Sequence, residues 1–200
     1  MAKLAGILLA AGESRRMGYP KPLLRIRERT FVEVIVCTML DVLPRVIVVL
    51  GAHADRIRPA IPSNERVTIV ENSAFTRGQL SSIKVGIEQM PLDTDGILIH
   101  LADHPTVRPD TFRAVLSAYG QGGHPIVIAR YGGRRGHPVI FDRSIFNELR
   151  GAPESEGARL VVNADPSRVS YVDVDDPGVI LDLDTPEDLS RAGLKAPSKI

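Results

Sequence analysis

Arg15 and Arg16 lie between Gly12 and Gly18, with Lys21 just beyond and a single acid, Glu13, opposing the three. Three cations on a glycine-bounded loop suit a polyanion. A nucleoside triphosphate carries up to about four negative charges, and each charge-assisted contact contributes about 1.5–3 kcal/mol. Far along the chain, Asp103 stands in Leu101-Ala102-Asp103-His104-Pro105, and Asp182 and Asp184 precede Thr185-Pro186. Carboxylates of this kind could hold magnesium against phosphate oxygens, because the ion takes one or two carboxylates and fills its remaining positions with phosphate and water. In an extended segment Asp182 and Asp184 point to the same side, so either could join Asp103. A third candidate is Gly78-Gln79-Leu80-Ser81-Ser82, where unpaired amides at a helix start would suit an anion or a base carbonyl.

Each feature also has an ordinary structural reading. The loop could be a basic surface turn, Asp103 a salt-bridge partner, Asp182 and Asp184 the usual acids of a helix start, and the serines simple caps. Two familiar phosphate loops are excluded. Five residues separate Gly12 from Gly18 and Tyr19 follows, against the four residues and Lys-Ser/Thr of a Walker loop. Gly12-Glu13-Ser14 breaks the dinucleotide fingerprint at its third position. The five histidines show no metal-binding spacing. His137, between Arg134-Arg135-Gly136 and Pro138, could face an anionic second substrate or fill a structural role, and His104 is open to the same two readings.

The elements that must position these groups alternate. Apolar runs at residues 4–10, 45–50, 67–70, 96–101, 125–129, 138–141 and 168–174 read as strands. Thr30-Phe31-Val32-Glu33 is a capping box opening a helix with Val34, Ile35, Met39 and Leu43 near the 3.6 period. Further helices are predicted over residues 78–90 and 109–119, and from Thr185-Pro186. Such alternation predicts a single α/β domain, a mostly parallel sheet with helices on both faces. Ligands of such sheets bind beyond the carboxyl ends of the strands, so the loop after residue 10 and Asp103 after residue 101 belong on one rim. Residues 120–142 predict a hairpin-like excursion that could wall the site. The domain is expected to span residues 1–194, with residues 195–200 frayed.

Two hundred residues at net charge +1 give no global attraction to nucleic acid or membrane. No apolar run approaches a membrane span. The one cysteine, Cys37, excludes an internal disulfide and reads as a buried inert thiol. A signal peptide is rejected, since cleavage would remove the cationic loop. These features point to the cytoplasm.

Five motifs stand in register: Leu-Ala-Ala-Gly-x-Ser-x-Arg-Met-Gly-x-x-Lys from Leu9, Gly-x-x-Ser-Ser from Gly78, Leu-x-Asp-x-Pro from Leu101, Gly-His-Pro-Val from Gly136, and Asp-x-Asp-Thr-Pro-Glu-Asp from Asp182. In this order, which covers nearly the whole chain, the sequence resembles the molybdenum cofactor cytidylyltransferase group of the NTP transferases, a wider set that includes guanylyltransferases. The resemblance implies a Rossmann-like nucleotidyltransferase fold, CTP as donor, Mg2+ as metal, a molybdopterin-type acceptor and room for transient contact with a molybdoenzyme. It implies Lys21, Arg16 and Asp103 as catalytic residues. The nucleotide would meet Leu9, Ala10, Ala11, Gly12, Ser14, Arg15, Arg16, Lys21, Gln79, Ser81, Ser82 and Asp103; the acceptor would meet Arg135 and His137; metal would bind Asp103 with Asp182 or Asp184. Two departures, His104 between Asp103 and Pro105 and Gln79 at the helix start, bear on acceptor and base preference.

The reaction this implies is in-line attack of an acceptor phosphate oxygen on the α-phosphorus of CTP, with pyrophosphate leaving. A phosphate nucleophile is already ionised at neutral pH, so positioning and charge neutralisation suffice. GTP as donor, a sugar or polyol phosphate as acceptor, and a non-catalytic nucleotide-binding maturation factor remain alternatives. A dehydrogenase is the weakest, for want of its fingerprint.

Overall fold

A computed structural model describes residues 2–191 and 193–194; the expected fraying of residues 195–200 lies outside the described residues. The chain opens on β1 (Leu4–Ala10), whose seven residues are all buried. Even positions Leu4, Leu8 and Ala10 join one apolar core, and odd positions Ala5, Ile7 and Leu9 join the other. This two-sided burial is what a central parallel strand requires, and each Leu or Ile so buried contributes about 1.5–3 kcal/mol.

After the cationic loop comes a two-stranded ribbon, β2 (Arg25–Ile26) and β3 (Arg29–Thr30), then α1 (Phe31–Leu40). Thr30 Oγ1 accepts from the Glu33 amide at 3.3 Å, as the capping box predicts. Leu43 lies beyond the helix end but is buried. Cys37 is half-buried, against the buried thiol expected, because it sits at the margin of the helix face that packs on the sheet. Next follow β4 (Val46–Leu50), α2 (Ala54–Ile57), β5 (Val67–Glu71), α3 (Gln79–Glu88), β6 (Gly96–Leu101) and α4 (Pro109–Gly120). The hairpin is β7 (Ile126–Tyr131) and β8 (Arg134–Asp142); the chain ends in α5 (Phe146–Gly151), α6 (Ala158–Ala164), β9 (Val169–Asp173) and α7 (Pro186–Arg191).

The seven strands run in the order β5-β4-β1-β6-β8-β7-β9. Six are parallel, and β8 alone runs against its neighbours β6 and β7. The fold is thus the mostly parallel, doubly covered α/β sheet expected. The excursion over residues 120–142 is more than a rim wall: its strands are full members of the sheet. Both are longer than predicted, with only Gly132 and Gly133 left to turn between them at φ of 53° and 78°, backbone that glycine adopts without steric cost. Helices α1 and α4 pack on one face and α3, α5 and α6 on the other. No helix among the described residues is long and apolar enough to cross a membrane.

A third, smaller apolar cluster lies at the rim. Met17 and Leu24 from the loop pack with Phe31 of α1 and with Leu183 and Leu189 from the last segment. Alternation around Met17 and Leu183, which point inward, leaves Arg16 and Asp184 facing the site.

Candidate active site

The loop leaving β1 is shaped by Ser14. Its backbone takes the left-handed conformation at φ 53°, and its carbonyl accepts from the Met17 and Gly18 amides, both at 3.1 Å. Its hydroxyl accepts from the Lys21 amide at 3.0 Å. Three bonds to one residue hold a conformation that a non-glycine residue adopts only at a cost. They fix where Lys21 begins.

The Lys21 ammonium then reaches into a nest of acids. It donates to Asp103 Oδ2 at 2.8 Å, bonds Asp184 Oδ1, and lies 3.6 Å from Asp182 Oδ1. Arg16 bonds the other oxygen of Asp184. Burial works against the charged form of Lys21, but Asp103, Asp184 and Asp182 together outweigh it and raise its pKa. Burial likewise pushes Asp103 upward, yet Lys21 wins and holds that carboxyl below its ordinary value. Asp182 goes the other way: burial, with Asp103 beside it, raises its pKa. One ammonium, helped by Arg16 at Asp184, therefore carries the balance for three carboxylates drawn from the turn after β6 and from the segment before α7.

Two cavities meet at this cluster. The first, about 480 Å3, is lined by the loop from Leu9 through Arg16, by Lys21, by Phe75, Thr76, Gly78, Gln79 and Ser82, and by Asp103 and Asp184. The first turn of α3 faces it with no side chain capping its amides, so those donors remain available to an acceptor. Ser81 turns inward instead. Its hydroxyl donates to the Gly78 carbonyl at 2.7 Å, and the Asn72 amide group donates to Ser81 at 2.8 Å and to Ser82 at 3.0 Å. The second cavity, about 410 Å3, is lined by Arg134, Arg135 and His137 of β8, Arg159 of α6, His104 and Asp182. Gln79 and Leu101 belong to both. Arg135 donates to Asn163 Oδ1 at 2.8 Å. Burial depresses the pKa of His137 to about 4, so it lines this cavity as a neutral imidazole.

One oxygen each of Asp103 and Asp182 and one ring nitrogen of His104 lie within 4.8 Å of one another. The two carboxylate oxygens suit Mg2+ or Mn2+, and the imidazole beside them suits an ion that also accepts nitrogen. The donor set fits, and a cation already belongs there, since Lys21 stands against the same carboxylates. Asp184 differs from Asp103 in being engaged by Arg16 as well as by Lys21.

The structure therefore gathers Leu9, Ala10, Ala11, Gly12, Ser14, Arg15, Arg16, Lys21, Gln79, Ser82, Asp103 and Asp184 around one cavity, and Arg135, His137 and Asp182 around its neighbour. Sequence reading missed Asn72, Phe75, Thr76 and Arg159. The first three lie between β5 and α3 in a stretch with no motif, and a polar residue ending a strand was the only available signal.

Comparison with known proteins identifies the family and the fold. Residues 6–169 match the MobA-like NTP transferase domain. The chain is 26% identical to the molybdenum cofactor cytidylyltransferase of Escherichia coli over 194 residues, covering 96% of each. It is 35% identical to a probable molybdenum cofactor guanylyltransferase of Bacillus cytotoxicus over 109 residues, 54% of this chain and 52% of that one. The crystal structure of Rv0371c from Mycobacterium tuberculosis superposes with a TM-score of 0.83 at 31% identity, covering 95% of this chain and 96% of that one. The same protein in complex with manganese superposes at 0.78 and 28% identity, over 95% and 97%.

Proposed function

Since the chain belongs to the MobA-like NTP transferase family and is a nucleotidyltransferase, we propose that it moves CMP from CTP to the terminal phosphate of a molybdopterin-type molybdenum cofactor, releasing pyrophosphate. The observation that carries this reading is the position of Lys21, which lines the first cavity, lies 3.6 Å from Asp182 of the second, and stands against carboxylates from two distant segments. The first cavity takes the nucleotide and the second the acceptor. An acceptor phosphate oxygen forms the new bond to the α-phosphorus while the bond to the β-phosphate oxygen breaks.

In this reading Lys21 leaves its carboxylate partners in part to neutralise the α-phosphate oxygens, and Arg16 meets the departing pyrophosphate. Arg15, on the exposed side of the loop, adds charge at the entrance. The amides of Gly12 and of the first turn of α3 contact phosphate and ribose, with Gln79 and Ser82 toward the base; Ser81 braces that turn from behind. A divalent ion, Mg2+ being the expected one, is held by Asp103 and Asp182 and supplies neutralisation of phosphate charge when bound. Asp184 orients Arg16 and Lys21. Arg135, with Arg134 beside it, meets the anionic acceptor, and neutral His137 packs against its body.

Cytidine as the base rests on Leu9-Ala10-Ala11-Gly12, where guanylyl members favour Gly at the third position, and on a cytidylyltransferase likeness over 96% of the chain. The test is pyrophosphate release with each of four nucleoside triphosphates, with and without molybdopterin carrying molybdenum. Turnover is expected only with CTP and that acceptor. Equal turnover with GTP would overturn the donor, and equal turnover on sugar phosphates would overturn the acceptor.

A further inference from the structure

His104 is 6% exposed, and its two ring nitrogens have different surroundings. Nδ1 lies 3.2 Å from the Gly178 carbonyl, an acceptor only, so Nδ1 must carry the proton and donate. In the neutral ring this leaves the Nε2 lone pair free. Nε2 points to Asp103 Oδ1 at 3.9 Å and has no hydrogen-bond partner among the described residues. A backbone carbonyl fixing one nitrogen so that the other presents its lone pair is the usual support of a metal-bound histidine.

The support is itself rigidly placed. Gly178 packs so closely on the chain at Thr106 that an added Cβ would lie 2.9 Å from the Thr106 carbonyl carbon and oxygen. Asp176 holds the same turn, accepting from the Gly178 amide at 3.0 Å, from Thr111 Oγ1 at 2.6 Å and from the Arg108 amide at 2.9 Å. On the other side His100 Nε2 lies 3.0 Å from the His104 carbonyl, a contact in which His100 donates. Backbone and ring of His104 are thus both pinned, with the free nitrogen toward two carboxylates.

We infer that His104 Nε2 is a nitrogen ligand to the divalent ion held by Asp103 and Asp182, so that this chain binds Mn2+ more tightly than Mg2+. This rests on the metal role given to Asp103 above and deepens it. Imidazole adds little for Mg2+, which prefers oxygen, whereas Mn2+ accepts mixed oxygen and nitrogen donors. Magnesium, far more abundant, can still serve turnover.

The test uses the full chain with Mn2+ alone, then with Mn2+ and CTP. Electron spin-echo modulation of bound Mn2+ is expected to show coupling to one imidazole nitrogen, which disappears in His104→Gln and persists in His137→Gln. Calorimetric titration of His104→Gln is expected to show a loss of at least about tenfold in Mn2+ affinity, no less than loss of an outer partner of a ligand produces, with Mg2+ affinity nearly unchanged. Mn2+ binding without nitrogen coupling in the native protein would overturn the proposal while leaving the carboxylate site standing. Absence of any Mn2+ binding, with or without CTP, would overturn both. Should His104→Gln fail to fold, the native spectrum and His137→Gln still decide.

Discussion

Lys21→Met separates the two roles of this ammonium, in stability and in turnover, and gives them different pH dependences. In the native chain the cation offsets Asp103 and Asp184, whose side chains are 24% and 14% exposed, while its own is 13% exposed. One charge-assisted contact in such a setting is worth about 1.5–3 kcal/mol, less where water screens it. Methionine should therefore destabilise the folded chain by about 2 kcal/mol at pH 7, or about 4–8 °C in Tm for a chain of this size. The sign with pH is fixed by Asp103, whose folded pKa lies below its ordinary value of 3.8 because Lys21 outweighs burial. A carboxyl depressed on folding contributes stability above its unfolded pKa and loses it as pH falls through the folded value. The variant lacks that contribution, so the gap between the two proteins should be widest near neutrality and shrink as pH falls through about 4. Added Mn2+ should also narrow it, by replacing the missing cation among the acids. Turnover should fall by about 10²–10³, as when a positioned group for developing charge is removed. The assays are thermal melts at several pH values with and without Mn2+, and pyrophosphate release. An unchanged Tm at pH 7 with turnover within a few-fold of native would refute the account of Lys21.

Two further outcomes follow from the second cavity. Arg135→Ala should raise KM for the acceptor about tenfold, the loss of one exposed charge-assisted contact, and leave KM for the nucleotide unchanged; steady-state kinetics with each substrate varied would reveal a nucleotide effect if the assignment of cavities is wrong. Half-buried His137, with its pKa lowered to about 4, takes up its proton in the unfolded chain near its ordinary value of 6.5. The unfolded state then binds more protons below that pH, so stability should fall on acidification by up to about 1.4 kcal/mol per pH unit between about 6.5 and 4. Buried His100, whose pKa is also lowered, works in the same direction. Denaturant titrations from pH 7 to 5 should show a shallower acid loss in His137→Gln; an identical slope would refute the neutral state.

Much of the architecture was legible because it is local. Strand β1 declares itself by seven apolar residues ending in a glycine loop, and Thr30 with Glu33 announces α1. The rule that ligands sit beyond strand ends places the loop and Asp103 on one rim from sequence alone. What escaped depends on contacts far apart in sequence. A hairpin pattern at residues 120–142 says that β7 and β8 pair, not that β8 inserts between β6 and β7. The helix α2 has four residues and α5 has six, too short for a 3.6 period to accumulate. Ser81 read as a ligand-facing hydroxyl, yet Asn72, nine positions earlier, draws it inward. His104 read as ambiguous because its tautomer is set by Gly178, seventy-four positions away.

The small rim cluster of Met17, Leu24, Phe31, Leu183 and Leu189 has a consequence for biosynthesis. The sheet can close once β9 has left the ribosome, but the clasp that brings Asp184 to Arg16 and Lys21 waits for the final helix. A chain truncated after residue 180 would thus keep all seven strands and Val179 of the main core without an assembled reaction centre, and be unable to turn over. Competence arrives last, with a handful of leucines closing over a methionine.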